Sequence, residues 1–323
     1  MKLLSIPIIA GFGLLAYTQW LGIEPELSSI DAIIDDTVTD ASSKSKVGAA
    51  STSALIHVID VMTDQKNGGY VSSGILYKLG LHDNMAFWEQ GVRGAAYDFA
   101  HSLHLDFSKQ NSNSDEDSAL KANVGKLNYD PYSYWFPSSE SEYRAARDAI
   151  KDYQGRMLDN NNNTQFVARV GTLVPWLKLT EARLNGYSNR LTDSVESKTV
   201  DTNLSGEFSA DQSTVAEVVK FNQTPWLEID DVFWEARGTI WALLHFFKAI
   251  ERDFSAPIAT KNNELAVRQI IVELEAAQID MTSPMVLNGG EGGLTSNYSS
   301  TVSNRITRAN NGVKNLIQSL QND

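Results

Sequence analysis

Residues 228–254 read EIDDVFWEARGTIWALLHFFKAIERDF, and this stretch decides the fold class. Its apolar residues recur every three or four positions, which is the period of a helix that buries one face. Acidic residues stand at its start, where they complement the positive end of a helix dipole. We therefore predict a long core helix, whose apolar residues include Phe233, Trp234, Ile240, Trp241, Leu244 and Phe247.

Six other segments follow the same period, and no long stretch alternates as a strand does. Ser139 with Glu142 predicts a capping box at the start of one of them, and Pro175 predicts a kink in the next. The fold class is therefore all-α. The six segments are residues 50–66, 83–103, 139–157, 164–191, 263–278 and 302–320.

The helix at 228–254 resembles an earlier one. Each carries FWE, at 87–89 and at 233–235, and each reaches a DFS tripeptide 19 or 20 residues later. A medium and then a longer amphipathic segment follow in both cases, and a short helix precedes both, the second one over residues 213–221. Chance similarity is the alternative explanation for matches this short.

If the similarity is a duplication, the body is a duplicated four-helix unit with pseudo-twofold symmetry, made of residues 50–200 and 201–323. Facing FWE helices would then bring Glu89 close to Arg237 and Glu235 close to Arg93, as buried structural pairs. The alternative is that Glu89 pairs with Arg93 one turn along its own helix.

Residues 3–23 contain no charged side chain. As a helix they span roughly 30 Å, the thickness of the hydrocarbon core of a bilayer. We predict a transmembrane anchor over residues 1–25, with a cleaved signal or a buried core helix as alternatives. Tyr17 and Trp20 stand where an interfacial aromatic belt is expected. The membrane-facing residues are predicted to include Leu3, Ile8, Phe12, Leu15, Tyr17 and Trp20.

The flanks of the anchor predict its orientation. Lys2 precedes it, whereas six acidic residues and no basic one follow before Lys44. The positive-inside rule then favours an exported body, which in a bacterium lies in the periplasm on the inner membrane. Residues 26–49 are rich in Ser, Thr, Asp and Ala, and we predict a flexible tether there, with the folded body beginning near Ala50.

The charge balance excludes one class of partner. The chain has 27 Lys and Arg against 40 Asp and Glu, a net charge of −13. Such a surface repels phosphate backbones, so nucleic-acid binding is not expected. There is no cysteine, which excludes disulfides, thiol nucleophiles and thiolate metal sites.

One group of carboxylates invites a catalytic interpretation. Asp230, Asp231 and Glu235 lie together at the start of the most apolar helix, and paired carboxylates can perform acid–base chemistry. The structural alternative is that acidic residues in a first helical turn complement the dipole. Together with the predicted ion pairs, the candidate binding residues are Glu89, Arg93, Asp230, Asp231, Glu235 and Arg237.

Three other sequence patterns resemble metal or phosphate sites, but none is complete enough to predict one. Asp98, His101 and His104 share one helix face, but no further metal ligand is implied. Residues 111–117 alternate Asn and Asp like a calcium loop, yet Glu116 stands where that loop needs glycine. The glycines at 289–293 lack the Lys-Ser of a phosphate loop. We predict no metal and no cofactor.

Several stretches resemble a known family. They are LHDNM at 81–85, DFS at 106–108, PSSESEY at 137–143, DDVFWEARG at 230–238, SPMVLNG at 283–289 and RAN at 308–310. Together they are similar to the proteobacterial domain of unknown function numbered 2333, over nearly the whole chain. The resemblance implies an envelope protein with one amino-terminal membrane segment, and it brings no established activity, catalytic residue or cofactor. His101 and His104 stand where arginines are expected, which argues against a metal there.

Two function classes follow. The first is a membrane-anchored periplasmic scaffold or adaptor that binds another envelope protein or its own copies. The second is a hydrolase or binding protein for an envelope glycan or peptide, using Asp230, Asp231 and Glu235. A deep cleft with converging carboxylates would favour the second, and an apolar surface patch would favour the first.

Overall fold

A computed structural model gives the fold and describes residues 13, 16–80, 83–109, 116–193, 197–200, 219–222, 229–278 and 298–322. A π-helical turn over Val61–Gln65 extends α2, another over Leu103–Phe107 extends α4, and a 3-10 helix over Val124–Asn128 follows α5. Residues 16–21 are helical as well. The α-helices of the body are α1 (Ile30–Thr37), α2 (Ala49–Asp60), α3 (Ile75–Lys78), α4 (Asn84–Ser102), α5 (Ser118–Asn123), α6 (Ser139–Leu158), α7 (Val170–Asp193), α8 (Ile229–Asp253), α9 (Ser255–Thr260), α10 (Glu264–Ala277) and α11 (Tyr298–Gln321).

The predicted all-α class is confirmed, with one small exception. Strand β1 (Ser197–Val200) pairs antiparallel with β2 (Val219–Asn222). The short helix predicted over residues 213–221 was therefore wrong for its last three residues, and residues 213–218 lie outside those described. The reason is local, since Val-Lys-Phe-Asn at 219–222 alternates apolar and polar residues as a strand does.

Helices α4 and α8 form the centre of the molecule. At their closest approach Gly91 lies against the carbonyl oxygen of Glu235, and Gly238 lies against that of Trp88. Further along, Phe99 stacks on Phe246 with ring centroids 4.3 Å apart. Gly91 and Gly238 are 147 positions apart, as are Phe99 and Phe246. The two helices therefore run parallel in one constant register.

The other helices surround this pair without repeating its symmetry. Helix α6 packs against α2, whereas α10 packs against α8 and α11. Helices α7 and α11 run antiparallel, because Ser188 contacts Thr307 at 2.6 Å and Thr192 contacts Ser303 at 3.0 Å. The helices that follow α4 and α8 are thus placed differently in the two halves.

Two helices begin at different residues from those predicted. Ser138 rather than Ser139 caps α6, its Oγ accepting from the Ser141 N–H. Helix α7 begins at Val170 rather than at Thr164, because the segment before it is bonded elsewhere: the Val167 N–H donates to the Phe107 carbonyl at 2.7 Å. Pro175 lies inside α7, within the segment that was predicted to be helical.

The prediction of a flexible tether over residues 26–49 does not match the structure. Residues 30–37 form α1, with Ile33 and Ile34 buried against the body. The Ser29 hydroxyl caps this helix by accepting from the Ala32 N–H. Two buried isoleucines suffice because α2 and α8 supply the other side of the contact, so the low apolar content of the segment was a poor guide.

The predicted anchor lies mostly outside the described residues, which include only residues 13 and 16–23 of the charge-free run. Of its predicted membrane-facing residues, Tyr17 and Trp20 are described; both are about half exposed, and their rings stack at 5.8 Å. Leu3, Ile8, Phe12 and Leu15 fall outside. Within the described part of the chain, none of the helices has the length and hydropathy to cross a membrane.

Candidate functional site

Glu89 forms a buried ion pair, although with a different cation from the one predicted. Its carboxylate lies 2.6 Å from Nζ of Lys66, and neither side chain is more than 1 % exposed. It also accepts from the backbone N–H groups of Val71 and Ser72, each at 2.8 Å. Burial raises the pKa of Glu89, and Lys66 opposes that rise. The pair joins α4 to the segment after α2.

Arg237 also has a different partner from the one predicted. Its guanidinium binds Glu24 through two parallel bonds, Nε to Oε1 at 2.8 Å and Nη2 to Oε2 at 2.5 Å. It lies over the rings of Phe233 and Trp234 as well. The predicted pairing of Glu89 with Arg237 was therefore wrong, because each group is held by a residue from the segments that precede α4.

Glu235 and Arg93 do not meet either. Glu235 accepts from Arg190 at 2.8 Å and from the Tyr187 hydroxyl at 3.1 Å, both on α7. Arg93 donates instead to the Leu127 carbonyl at 3.2 Å, and the alternative pair with Glu89 is not formed either. The parallel packing puts Gly91 and Gly238, rather than the charged residues, at the α4–α8 contact.

A groove of about 390 Å³ lies beside Glu235, between α4, α7 and α8. Two ion pairs line it: Arg190 with Glu235, and Arg183 with Asp98 at 2.6 Å. Burial raises the pKa of Tyr187, which also lines the groove, to about 12. The carboxylates of this groove are thus already neutralised by arginines of α7.

Asp230 and Asp231 point to a different region, at the start of α8. When the side-chain amide of Asn84 is oriented so that its nitrogen and its oxygen both have partners, the nitrogen donates to Oδ2 of Asp230 at 2.8 Å. The oxygen then accepts from the Trp234 indole at 3.0 Å. Asp231 faces Tyr77, whose pKa is raised by burial first and also by this negative charge. Asp230 and Asp231 therefore make contacts separate from those of Glu235, and the predicted catalytic trio is not assembled.

A segment that joins the end of the predicted anchor to the start of the predicted tether is bonded along α8. We name residues 22–31 the strap. After the Glu24–Arg237 pair, the Pro25 carbonyl accepts from the Trp241 indole at 3.0 Å. Further along, the Ser28 N–H donates to His245, and Asp31 pairs with Arg252. The strap therefore follows α8 in the same direction over four turns.

A cleft of about 310 Å³ lies between the strap and the end of α2. It is lined by residues of both sides, including Glu24, Glu26, His57 and Lys66. The His57 ring lies 5.3 Å from that of His245, and burial lowers the pKa of His57. The cleft thus lies next to the Lys66–Glu89 and Arg237–Glu24 ion pairs.

The wider cleft of the body, about 550 Å³, opens between α1, α2 and α6 and shares no residue with the predicted sites. Aspartates line it, but Asp60 is engaged by Arg147 at 2.6 Å and by Lys151 at 3.1 Å. This cleft therefore has mixed charge rather than the converging free carboxylates of an acid–base site.

The residues of the metal-like sequence patterns make ion pairs and a helix cap. Asp98 binds Arg183, and His104 lies 3.8 Å from Glu116, with its pKa lowered by burial. Asp117 caps α5 and pairs with Arg156. Among the described residues no group of three or more His, Asp or Glu could hold a metal. Residues 111–115 and 289–293 lie outside the described ranges.

The comparison with protein families decides the membership of the chain. A family model described as an uncharacterized protein conserved in bacteria, DUF2333, matches residues 3–323. The chain belongs to the DUF2333 family. Comparisons with curated proteins and with solved structures give no match. The resemblance inferred from the sequence is thus confirmed, and the family assigns no activity to any residue described above.

His245 of this DUF2333 chain lies under the strap. Its pKa is lowered further than that of any other described histidine. Its Nδ1–H donates to the Trp241 carbonyl at 2.8 Å, which leaves Nε2 to accept from the Ser28 N–H at 3.3 Å. Burial lowers its pKa to about 3. A proton on Nε2 would face the Ser28 N–H, so the neutral ring is the form that holds the strap.

We expect the stability of the body to fall on acidification because of His245. The unfolded chain binds this proton near the ordinary pKa of 6.5, whereas the folded chain binds it only near 3. The stabilisation is complete above pH 6.5 and decreases by about 1.4 kcal/mol per unit as the pH falls toward 3. Urea unfolding of the full chain in detergent, between pH 7.5 and 5, measures this slope.

The matched variants are His245→Gln and Thr239→Val, both buried on α8. His245→Gln should flatten the pH dependence, since the amide can still accept from Ser28 but does not titrate. Thr239→Val loses a buried hydroxyl without any titrating group and should keep the wild-type slope. Equal slopes for the wild type and His245→Gln would contradict this assignment.

Sequence reasoning missed four residues of this DUF2333 site: Glu24, Lys66, Trp241 and His245. Lys66 is the last residue of the helix predicted over 50–66 and Glu24 stands at the end of the anchor predicted over 1–25, so neither was expected to form an ion pair in the body. The one available signal was His245, a polar residue on the most apolar face of the chain. Such a residue needs a buried partner.

Proposed function

We propose that this chain is a membrane-anchored helical scaffold. Residues 1–25 form the anchor in the bacterial inner membrane, and the body lies in the periplasm, where it binds another envelope protein or a second copy of itself. The observation that carries the proposal is the strap, which bonds the segment after the anchor to α8 at Arg237, Trp241, His245 and Arg252.

The strap supports a positioning role for a physical reason. An anchored enzyme that acts on diffusing substrates needs only a flexible leash. A bonded strap instead fixes the distance and the orientation of the body relative to the bilayer. Fixed geometry matters for a protein whose task is to hold a partner at one place near the membrane.

The contacts of the acidic candidates favour binding over hydrolysis. Glu235 is held by Arg190 and Tyr187, and Asp230 is bonded to Asn84. A general acid and a general base must both reach one reacting atom. The contacts of Asp230 and Glu235 are with different residues, and so the hydrolase alternative gains no support from them.

Charge distribution supports the topology within this proposal. Lys2 precedes the apolar run, and Glu24, Glu26 and Asp31 follow it. The positive-inside rule retains the basic flank in the cytoplasm and exports the acidic one. The FWE and DFS tripeptides that the segments around α4 and α8 share in the same order, and the close packing of the two helices, support a further inference, that the two halves arose by duplication and later diverged in the packing of α6 and α10.

The test is cross-linking of the tagged full chain in intact spheroplasts with an amine-reactive reagent that does not cross membranes. Only an exported body can react. We expect a discrete cross-linked species that contains one envelope protein or a second copy. The variant Glu24→Ala removes the partner of Arg237 and should reduce that species, because the body is then held less firmly at the bilayer.

Glu26→Ala is the matched control, since Glu26 is an exposed strap residue two positions away. It should cross-link as the wild type does. Absence of any reaction in intact spheroplasts, with reaction after lysis, would contradict the exported body. Reaction without a discrete partner or dimer would contradict the scaffold.

A further inference from the structure

The loop that leads into α6 exposes three large aromatic side chains in a row. Tyr134 is 61 % exposed, Trp135 is 78 % exposed and Phe136 is fully exposed. The loop is held from beneath: the Ser139 hydroxyl donates to the carbonyls of Asp130 and Ser133 at 2.7 and 3.1 Å. The rings are therefore presented outward by a bonded loop.

Helix α3 extends this surface. Its Ile75 and the following Leu79 are 71 % and 64 % exposed. The two segments touch, because Tyr77 stacks on Tyr132 with ring centroids 5.1 Å apart, and Lys78 lies over the Tyr134 ring. We name Ile75, Leu79, Tyr134, Trp135 and Phe136 the aromatic edge. Contiguous exposed apolar groups of this kind mark a contact surface.

The aromatic edge lies at the end of the body from which the amino-terminal helix departs. The Asn67 side chain donates to the Trp20 carbonyl at 2.8 Å, and the Tyr70 hydroxyl donates to the Pro131 carbonyl at 3.0 Å. One short segment thus contacts both the helix end and the aromatic loop. The strap gives the same direction, because its first contact along the chain, Glu24 with Arg237, is also the one closest to the start of α8.

We propose that the aromatic edge inserts into the interface of the same bilayer that the anchor enters. Trp and Tyr prefer the headgroup level, and Phe and Leu add apolar area below it. Lys78 stands beside the rings, where its ammonium can reach a lipid phosphate. Asp83 and Asp130 flank the same region, so zwitterionic lipid fits the edge better than anionic lipid does. This inference rests on the proposed anchoring.

The chain contains no cysteine, so single cysteines can be placed and labelled without a background. The full chain is reconstituted in phosphatidylcholine vesicles with an environment-sensitive fluorophore at Phe136→Cys. Leu265→Cys on α10 is the matched control, because Leu265 is a large apolar residue outside the aromatic edge. It is 78 % exposed, the same fraction as Trp135, the neighbour of the labelled position. Tyr17→Cys reports on the anchor. Nitroxide lipids labelled near the headgroup and an aqueous quencher measure the surroundings of each label.

We expect nitroxide lipid to quench the label at position 136 severalfold more than the one at 265, with a blue-shifted emission. Quenching at 17 without quenching at 136 would overturn the insertion and leave the anchoring intact. A chain that does not float with vesicles, and shows no quenching at 17, would overturn the anchoring itself. A label at 136 shielded from both quenchers would overturn insertion in favour of a protein contact.

Discussion

Gly238→Ala is expected to destabilise the body by about 3 kcal/mol, the upper end of the usual cost of overpacking, because it forces apart the two central helices. A β-carbon at position 238 would lie 2.0 Å from the Trp88 carbonyl oxygen, a backbone atom that cannot rotate away. Separating the helices would also loosen the stacked pair Phe99 and Phe246. The free energy of unfolding of the full chain in detergent, from urea denaturation, measures the loss.

Two further variants make this test specific. Gly91→Ala meets the Glu235 carbonyl oxygen at 1.9 Å and should be as damaging as Gly238→Ala. Gly155→Ala in α6 meets nothing within 4 Å, so it should stabilise the chain by roughly 0.5–1 kcal/mol through helix propensity. A loss below about 1 kcal/mol for Gly238→Ala would show that the helices do not cross this closely.

Lys66→Met is expected to cost roughly 3–5 kcal/mol, because it leaves the Glu89 carboxylate buried without its cation. The double variant Lys66→Met with Glu89→Gln should recover part of the loss, since the amide carries no charge and its oxygen can still accept from one of the two N–H groups that Glu89 binds. The double-mutant cycle isolates the coupling between the two side chains.

Lys44→Met provides the matched comparison. Lys44 pairs with Asp35 at 2.7 Å, nearly the separation of the Lys66–Glu89 pair, but both partners are solvent-accessible. Its loss should cost less than about 1 kcal/mol, as is usual for exposed pairs. Similar losses for Lys44→Met and Lys66→Met would mean that Lys66 is not buried in solution.

The helices of the body could be predicted from the sequence because apolar periodicity is a local property. The segment predicted over 83–103 forms α4 and the start of its π-helical extension, and its apolar residues Trp88, Val92, Phe99 and Leu103 are all buried. The order of residues 22–37 was missed because helix α1, which follows the strap, buries only Ile33 and Ile34, too few for a periodic signal. Its order comes from contacts with α8, more than 200 positions away, which composition does not encode.

The ion pairs show the same limit of sequence-based prediction even more clearly. Glu89, Arg237 and Glu235 were correctly chosen as charged residues of the central helices, yet each pairs with a residue of another segment. Similarity between the FWE stretches predicted that α4 and α8 meet, and they do. It did not predict that glycines would occupy the contact and that the charged side chains would pair with other segments, since that depends on the rotation of each helix.

The direction of the strap determines how the body would bear a mechanical load. A pull on the amino-terminal residues, away from the start of α8, acts along the line of contacts from Arg237 to Arg252. The bonds at Arg237, Trp241, His245 and Arg252 are then strained together in shear, whereas a perpendicular pull would break them one after another. The joint should therefore resist tension along the α8 axis far better than tension across it.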